Sequence, residues 1–277
     1  MATTPASPTE MIASLWRNRA LVVLLATRDA LGRYRGSALG IIWSFFHPLL
    51  MLTVYTFVFS GVFKTRWTGR EGFAAEQSTA GYAVVLFAGL MVFTLFAECL
   101  NRAPSLILAN TNYVKKVAFP LEILPWVNLG AALFHFAVSL CVWLLFYGIF
   151  FGVPPITAIL LPVVLFPLIL TTMGLSWLLA SFGVYLRDVG QIVGVATSAL
   201  IFMSPIFYPL TALPENLRPI LYLNPLTLAV EQTREVLVWG TLPNWSHYAI
   251  FVACSVVIAV IGFAFFQRTR KGFADVL

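Results

Sequence analysis

The chain has 277 residues, of which 60% are hydrophobic and 10% are charged, and its mean hydropathy is +0.90. Soluble domains carry about 25% charged residues. A soluble core of this size could not bury so much apolar surface, so the composition excludes a soluble protein and predicts a polytopic membrane protein. The net charge of +6 indicates an unequal distribution of cations across a membrane, and no segment resembles a nucleic-acid-binding module.

The first 32 residues precede any run long enough to cross a membrane. Residues 1–10 (MATTPASPTE) are small and polar, which predicts a disordered tail. They include no basic segment leading into an apolar core, so we expect no cleaved signal peptide and a cytoplasmic N-terminus. Residues 11–32 contain an apolar core too short to cross about 30 Å of hydrocarbon. Because Trp16, Arg17 and Arg19 flank this core, we predict an amphipathic helix in the cytoplasmic interface; a frayed first turn of the next helix is the alternative.

Residues 28–48 (RDALGRYRGSALGIIWSFFHP) place three arginines directly before a long apolar run. Cations at such a junction mark the cytoplasmic end of a span. Arg28, Arg33 and Arg35 are therefore either a topogenic anchor at the level of the lipid headgroups or a binding site for an anionic substrate headgroup. A continuous helix would place Arg28 and Arg35 on one face, with Arg33 close to Arg35 beyond Gly32.

The apolar runs predict an all-α integral membrane fold with a transmembrane domain over residues 33–267. The six predicted spans are residues 38–63, 81–100, 123–151, 156–185, 191–208 and 246–266. We expect Pro48 to kink or locally unwind the first span. A basic cytoplasmic tail follows at 268–277.

The loops between these spans carry most of the cations on one side. Of the 17 Lys and Arg residues, 12 fall on the predicted inside and five on the outside. The five outside cations are Lys64, Arg66, Arg70, Arg218 and Arg234. This bias favours six spans with both termini cytoplasmic.

Two segments between spans have unusual patterns. Residues 104–120 (PSLILANTNYVKKVAFP) lie between prolines and predict a short cytoplasmic helix with an exposed basic tip at Lys115 and Lys116. Residues 209–245 consist of apolar pieces that prolines interrupt, each too short to span and together too apolar for a free loop. Short interfacial or re-entrant helices at the outer end of the bundle fit this pattern.

The sequence contains no GxxxxGK[ST], HExxH or GxSxG motif. ATP-driven work would therefore need a separate ATPase chain. The three cysteines lie far apart in apolar segments, so we expect neither a disulfide nor a metal site: Cys99, Cys141 and Cys254.

His135, Glu98 and Arg102 are polar residues within predicted spans or at their ends. His135 lies well inside a span, where it is either a functional group or part of a helix-to-helix hydrogen bond; we favour the hydrogen bond. Glu98 and Arg102 are one helical turn apart, and we expect them to pair with each other.

Aromatic residues are concentrated on the first and fifth predicted spans. Sugar rings present apolar faces that stack on aromatic rings, so these side chains could line a path for a glycan; ordinary packing and lipid contact are the alternative. The candidates are Phe45, Phe46, Tyr55, Phe57, Phe59, Phe202, Phe207 and Tyr208.

Four stretches together resemble the membrane subunits of ABC-2 type polysaccharide exporters, which move O-antigen, capsule or teichoic acid chains. They are RDALGRYRGSALGIIWSFFHPLL, NTNYVKKVAFPLEILPWVNL, LRDVGQIV and SPIFYPLTALPENLRPILYLNPLTLAVEQTRE. The resemblance implies a homodimer in the bacterial inner membrane that exports a lipid-linked polysaccharide. It also implies two separate ATP-binding subunits, with ATP and Mg on them and no cofactor on this chain.

The resemblance further implies roles for individual residues. A cytoplasmic coupling helix would sit in a groove on the ATPase and contact it through Asn112, Tyr113, Lys115, Lys116, Phe119 and Pro120. Residues 209–245 would form an outer gate. Arg28, Arg33 and Arg35 would attract the phosphate or pyrophosphate of a lipid carrier, since the planar guanidinium binds phosphate oxygens bidentately.

Two other functions compete with export. An integral-membrane glycosyl- or acyltransferase acting on lipid-linked sugars would need acids or histidines near the membrane surface. The available acids, Glu98, Glu122 and Asp188, are scattered along the sequence. The second alternative is a non-transporting scaffold of a secretion complex.

Overall fold

The computed structural model describes residues 7–62, 78–114, 119–216 and 218–277, and within them the protein is helical. The α-helices are α1 (Pro8–Arg17), α2 (Arg19–Gly32), α3 (Trp43–Thr56), α4 (Thr79–Arg102), α5 (Thr111–Val114), α6 (Leu124–Phe151), α7 (Leu161–Tyr185), α8 (Val189–Met203), α9 (Arg218–Tyr222), α10 (Pro225–Arg234), α11 (Trp245–Thr269) and α12 (Phe273–Val276). Short 3-10 helices cover Gly40–Ile42, Ala103–Ser105, Leu108–Asn110, Leu121–Ile123, Ile156–Leu160, Leu210–Ala212 and Arg270–Gly272. Two π-helical turns cover Phe57–Val62 and Glu235–Trp239.

The all-helical membrane fold is confirmed, with five helical stretches in the described residues long and apolar enough to cross a membrane. They are Gly40–Phe59, Thr79–Ser105, Leu121–Phe151, Ile156–Tyr185 and Trp245–Val276. The span predicted at 191–208 forms only α8, whose 15 residues extend about 22 Å. α8 ends because Ser204 has extended backbone angles and its hydroxyl donates to the Leu200 carbonyl, while Pro205 has no N–H to continue the helix.

The N-terminal region differs from one interfacial helix over 11–32. It forms two helices, α1 and α2, separated at Asn18, and α2 packs so closely on α6 that a Cβ at Gly130 would lie 2.8 Å from the Ala26 Cβ. α2 ends at Gly32 and a turn follows, in which Gly36 has a φ of 87°. Glycine is the residue that adopts such a φ at little cost. The predicted continuous helix through Arg35 is therefore wrong.

The first span continues through its proline. Pro48 lies inside α3, and the helix is not interrupted there. The local unwinding expected at Pro48 is absent, because α3 is continuous over Trp43–Thr56. The helix changes to a π-helical turn only at Phe57, nine residues after the proline.

The core of the bundle surrounds α4. Every residue from 81 to 92 is buried, and α4 packs against α6, α7, α8 and α10. α7 and α11 form the closest helix pair, because Gly174 and Gly262 bring their backbones into direct contact. Small residues permit this approach in membrane helices, where dispersion contacts replace the hydrophobic effect as the driving force.

Residues 226–238 of the gate segment, residues 209–245, are packed into the bundle. α10 buries Leu226, Ala229 and Val230 against α4 and α7. Arg234, counted among the outside cations, is fully buried at the end of α10. The count of cations from the sequence placed Arg234 in an outer loop, because the hydropathy of a short apolar segment does not indicate how deeply that segment inserts into the bundle.

We call residues 103–120 the coupling segment. A single helix is predicted over 104–120, but the described part of the segment does not form one helix. It consists of the turns Ala103–Ser105 and Leu108–Asn110 followed by the four-residue α5. Polar side chains bond to the local backbone here: Ser105 donates to the Arg102 carbonyl and Asn110 to the Leu106 carbonyl. Such bonds compete with regular helix formation. The basic tip at Lys115 and Lys116 and most of the predicted outer loop at 64–80 lie outside the described residues.

Both terminal regions meet beside the coupling segment. The buried carboxylate of Glu122 accepts hydrogen bonds from Ser14 of α1 at 3.2 Å and from Arg270 at 2.8 Å. Its backbone carbonyl accepts from the indole of Trp177 at 3.1 Å. The N-terminal helix, the start of α6 and the C-terminal region therefore lie at the same end of the bundle.

Candidate functional site

A basic cavity of about 470 Å³ opens between α2, the C-terminal end of α4, the coupling segment and the first turns of α6. Its polar lining combines three arginines with one carboxylate, one hydroxyl and two amides: Arg28, Arg33, Arg102, Asp29, Tyr113, Asn110 and Asn128. Two of the three arginines predicted to bind a headgroup belong to this lining.

Arg28 connects the cavity to the coupling segment. Its guanidinium donates to the Tyr113 hydroxyl at 3.3 Å, and the Tyr113 ring stacks on Phe119 with centroids 4.2 Å apart. Arg28 forms no ion pair with any described residue. A residue predicted to bind substrate is thus hydrogen-bonded to one residue predicted to contact the ATPase, and that residue stacks on a second.

Arg102, which the sequence analysis did not assign to the headgroup site, is another cation of the cavity. It forms two hydrogen bonds of 2.6 and 2.8 Å with the Asp29 carboxylate. Burial raises the pKa of Asp29, but the hydrogen bond and charge of Arg102 lower it more, with further lowering by Arg33 and His135. The net shift is downward, so Asp29 is ionised at neutral pH.

Arg33, which directly follows α2, forms the second ion pair of the cavity region. Its guanidinium lies 2.5 Å from the Glu98 carboxylate on α4. His135 on α6 contacts the same carboxylate at 3.0 Å, which confirms the predicted helix-to-helix hydrogen bond. The predicted Glu98 and Arg102 pair is wrong, because each side chain has a better-placed partner on α2 or in the turn after it.

Arg35 is separated from the other two predicted arginines. It is exposed in the turn after α2 and does not line the cavity. Because α2 ends at Gly32, Arg35 does not share a continuous helical face with Arg28.

The structure gathers four of the predicted channel aromatics at the C-terminal end of the first span. Phe207 stacks on Phe59 with centroids 4.3 Å apart and also contacts Tyr55 at 5.4 Å and Phe202 at 5.7 Å. Tyr208 lies next to this cluster and donates to the Phe202 carbonyl. The remaining candidates, Phe45, Phe46 and Phe57, are exposed on the first span.

The predicted ATPase-contact residues fall in or beside α5. Asn112 and Tyr113 lie on α5, and Pro120 directly precedes the turn Leu121–Ile123. Phe119 packs on Tyr113 across the four residues that are not described. Pro104, at the start of the segment, contacts α7 at Gly183 so closely that a Cβ there would overlap its carbonyl.

Arg234 forms a second polar centre, which sequence reasoning did not identify. Its guanidinium donates to the backbone carbonyls of Val85 at 3.1 Å, Pro205 at 2.5 Å and Ile206 at 2.9 Å, and to Glu231 at 2.8 Å. These carbonyls belong to α4 and to the turn where α8 stops. Arg234 therefore joins the gate segment to the broken end of α8 and pairs the Pro205 and Ile206 carbonyls of the turn after that helix.

These two centres differ in what they can bind. In the part of the chain that is described, no group of three or more His, Cys, Asp or Glu residues is placed to hold a metal ion. Arg234 is fully enclosed. The basic cavity, in contrast, is open, and its guanidinium groups suit phosphate or carboxylate ligands.

Comparison with known proteins gives a consistent result. A family described as ABC-2 type transporter matches residues 20–238. An O-antigen export system permease protein RfbA of Myxococcus xanthus is 28% identical over 96% of this chain and 98% of its own length. An RfbA of Klebsiella pneumoniae is 25% identical over 93% and 95%, and the polysialic acid transport protein KpsM of Escherichia coli is 24% identical over 88% and 90%.

Proposed function

This chain belongs to the ABC-2 type transporter family, and from that premise we propose that it is the membrane-spanning permease subunit of an exporter for a lipid-linked surface polysaccharide. The observation that carries the proposal is similarity over almost the full length to permeases named for O-antigen export. A relative named for polysialic acid transport extends the same substrate class. The ATP hydrolysis that drives export takes place on a separate subunit.

The proposed assembly is a homodimer with two ATP-binding subunits, which hold ATP and Mg. The missing GxxxxGK[ST] motif supports a separate ATPase. The contact between Pro104 and Gly183 supports a lever role for the coupling segment, because a push on it would reach α7 directly. Tyr113, Phe119 and the basic tip at 115–116 form the proposed contact with the ATPase.

The proposed topology has six crossings, with both termini on the cytoplasmic side of the inner membrane. The meeting of Ser14, Glu122 and Arg270 supports placing both terminal regions beside the coupling segment. α8 and the turn after it form the short fifth crossing. A short crossing is compatible with a membrane because Arg234 and the gate segment pair the backbone groups of that turn.

The basic cavity is the proposed entry site for the phosphate of the lipid carrier. Arg28, Arg33 and Arg102 are its cations, and Arg35 takes no part in it. The cluster of Phe59, Phe207, Tyr55 and Phe202 lies at the other end of the first span, where stacking on sugar faces would serve a passing glycan. A transferase is not favoured, since Glu98 and Glu122 are each held in ion pairs.

The test is purification of the chain with and without the candidate ATPase, followed by ATP hydrolysis in lipid nanodiscs. We expect hydrolysis only in the complex, with stimulation by a lipid-linked glycan and loss of surface polysaccharide when the gene is deleted. Glycosyl transfer by the chain alone, or normal surface polysaccharide in the deletion strain, would contradict the proposal.

A further inference from the structure

We propose that Asp29 and Glu98 are internal anions that hold the arginines of the basic cavity until a phosphate headgroup replaces them. Binding is then an exchange of carboxylate for phosphate, and the exchange loosens α2 from α4. The inference rests on the proposed function, since it takes the ligand to be the phosphate of a lipid carrier.

The first observation is that two of the three cationic groups are already paired. Arg102 holds Asp29 through two short hydrogen bonds, and Arg33 holds Glu98 at 2.5 Å. A guanidinium that meets a carboxylate through two parallel bonds presents the same donor geometry that a phosphate requires. A headgroup therefore cannot take the full set of donors without displacing a carboxylate.

The second observation is that these pairs are accessible. The Arg102 and Asp29 side chains are 34% and 29% exposed, and Arg33 is 31% exposed. Arg234, the enclosed arginine, is 0% exposed and is held by backbone carbonyls that cannot leave. The structure thus separates a fixed arginine from arginines whose partners can exchange.

The third observation is that a released carboxylate has somewhere to go. His135 already lies 3.0 Å from Glu98 and remains its partner if Arg33 turns toward a headgroup. Asp29 is partly exposed at the cavity wall, so water can solvate it after release. After the exchange, Glu98 keeps its hydrogen bond to His135 and Asp29 is solvated, so neither carboxylate is left buried without a partner.

The fourth observation concerns what the pairs connect. Asp29 belongs to α2 and Arg33 to the turn directly after it, while Arg102 and Glu98 both belong to α4. Both ion pairs therefore tie the same two segments together. Replacement of these ties by phosphate contacts would remove both ion pairs between the α2 region and α4, while α2 stays packed on α6. Arg28 of α2 bonds to Tyr113 of the coupling segment. A shift of α2 on headgroup binding would therefore reach the proposed ATPase contact through the hydrogen bond between Arg28 and Tyr113.

The test measures binding of a short prenyl pyrophosphate to the full-length chain in nanodiscs, with the prenyl alcohol as the uncharged comparison. Asp29→Asn removes one internal anion and should tighten pyrophosphate binding about fivefold, equivalent to about 1 kcal/mol for a partly exposed pair. Glu98→Gln tests the second pair independently if Asp29→Asn does not fold. Glu10→Gln is the matched control, because Glu10 pairs with Arg17 on α1 outside the cavity and its loss changes the net charge equally.

The outcomes separate the two proposals. Tighter binding in Asp29→Asn or Glu98→Gln, with Glu10→Gln at the wild-type value, supports the exchange. If the wild type binds pyrophosphate and every folded cavity variant binds it equally well or more weakly, the exchange alone is overturned and the pairs are purely structural. If neither the wild type nor any variant binds pyrophosphate better than the alcohol, both the headgroup site and the exchange are wrong. In that case, ATP hydrolysis stimulated by lipid-linked glycan would still support the proposed export function. A gain of equal size in Glu10→Gln would show a general charge effect and would also overturn the exchange.

Discussion

The guanidinium of Arg28 donates a 3.3 Å hydrogen bond to the hydroxyl of Tyr113, although the two residues are 85 positions apart in the chain. Arg28 lies on α2 at the basic cavity, and Tyr113 lies on α5 of the coupling segment. The proposed substrate entry site and the proposed ATPase contact are therefore neighbours. A single hydrogen bond therefore joins the two proposed sites.

Tyr113→Phe removes this hydrogen bond and keeps the ring that stacks on Phe119. We expect stimulation of ATP hydrolysis by lipid-linked glycan to fall about two- to tenfold, which corresponds to the roughly 0.5–1.5 kcal/mol of one hydrogen bond. The measurement is the ratio of stimulated to unstimulated hydrolysis by the reconstituted complex. Tyr248→Phe is the control, because it removes a 3.0 Å bond to the Val163 carbonyl that lies outside the cavity. An equal loss in both variants would contradict a specific role for Tyr113.

Lysine replacements test the arginines one by one. Arg28→Lys and Arg33→Lys keep the positive charge but lose the planar fork, so we expect export to drop roughly fivefold at matched membrane abundance. Arg35→Lys should export at the wild-type rate, because Arg35 does not line the cavity. The assay is surface polysaccharide per copy of membrane protein. Wild-type export by all three variants would reduce the arginines to a topogenic signal.

Arg234→Met tests the enclosed centre at the gate segment. The variant leaves the carbonyls of Val85, Pro205 and Ile206 without this donor, and Glu231 without its cation. We expect the free energy of unfolding to fall by about 3–5 kcal/mol, as for other broken buried pairs.

Thermal unfolding in detergent, followed by tryptophan fluorescence, measures this change. Arg17→Met is the control, since the Arg17 side chain is 57% exposed and forms, among the described residues, only a surface pair with Glu10, whose loss should change stability by about 0.5 kcal/mol or less. Equal melting temperatures for Arg234→Met and the wild type would show that Arg234 does not hold the end of α8.

Gly262→Val tests the contact between α7 and α11. Any Cβ at this position would overlap the backbone of Gly174, so the helices must separate. We expect a loss of at least about 1–3 kcal/mol, the range for overpacked interiors, and a lower folded yield. Gly194→Ala on α8 is the control, because no atom lies within 4 Å of its added Cβ. Size-exclusion profiles and melting temperatures compare the two, and a wild-type profile for Gly262→Val would be inconsistent with the close pair.

Cysteine labelling tests the proposed orientation. In a background without Cys99, Cys141 and Cys254, Asn216→Cys should react with an impermeant thiol reagent added outside intact cells, whereas Ala274→Cys should react only after lysis. Both positions are exposed, so access to reagent depends on the side of the membrane alone. Labelling of Ala274→Cys from outside would overturn the six-crossing topology. A third position, Gly69, is predicted to label from outside and lies outside the described residues.

The sequence by itself determined the all-helical membrane class and placed most of the helices. Long apolar runs have few structural solutions in lipid, because a spanning segment must pair its own backbone groups. The same local reasoning identified Arg28 and Arg33 at the membrane entry and His135 as a helix-to-helix contact. It failed at Arg35 because α2 ends at Gly32 and Arg35 lies in the turn that follows, a helix end that the sequence does not specify.

Only the tertiary structure decided which charges meet. Glu98 and Arg102 are neighbours on α4, yet each pairs with the α2 region, since ion pairing depends on the packing of α2 beside α4 and on access to water. The same holds for Arg234, which local hydropathy places in an outer loop but which α10 buries against α4. Periodicity and composition act within a segment of about 20 residues, whereas these contacts join residues 65 or more positions apart. Their partners were therefore fixed by the packing of the helices.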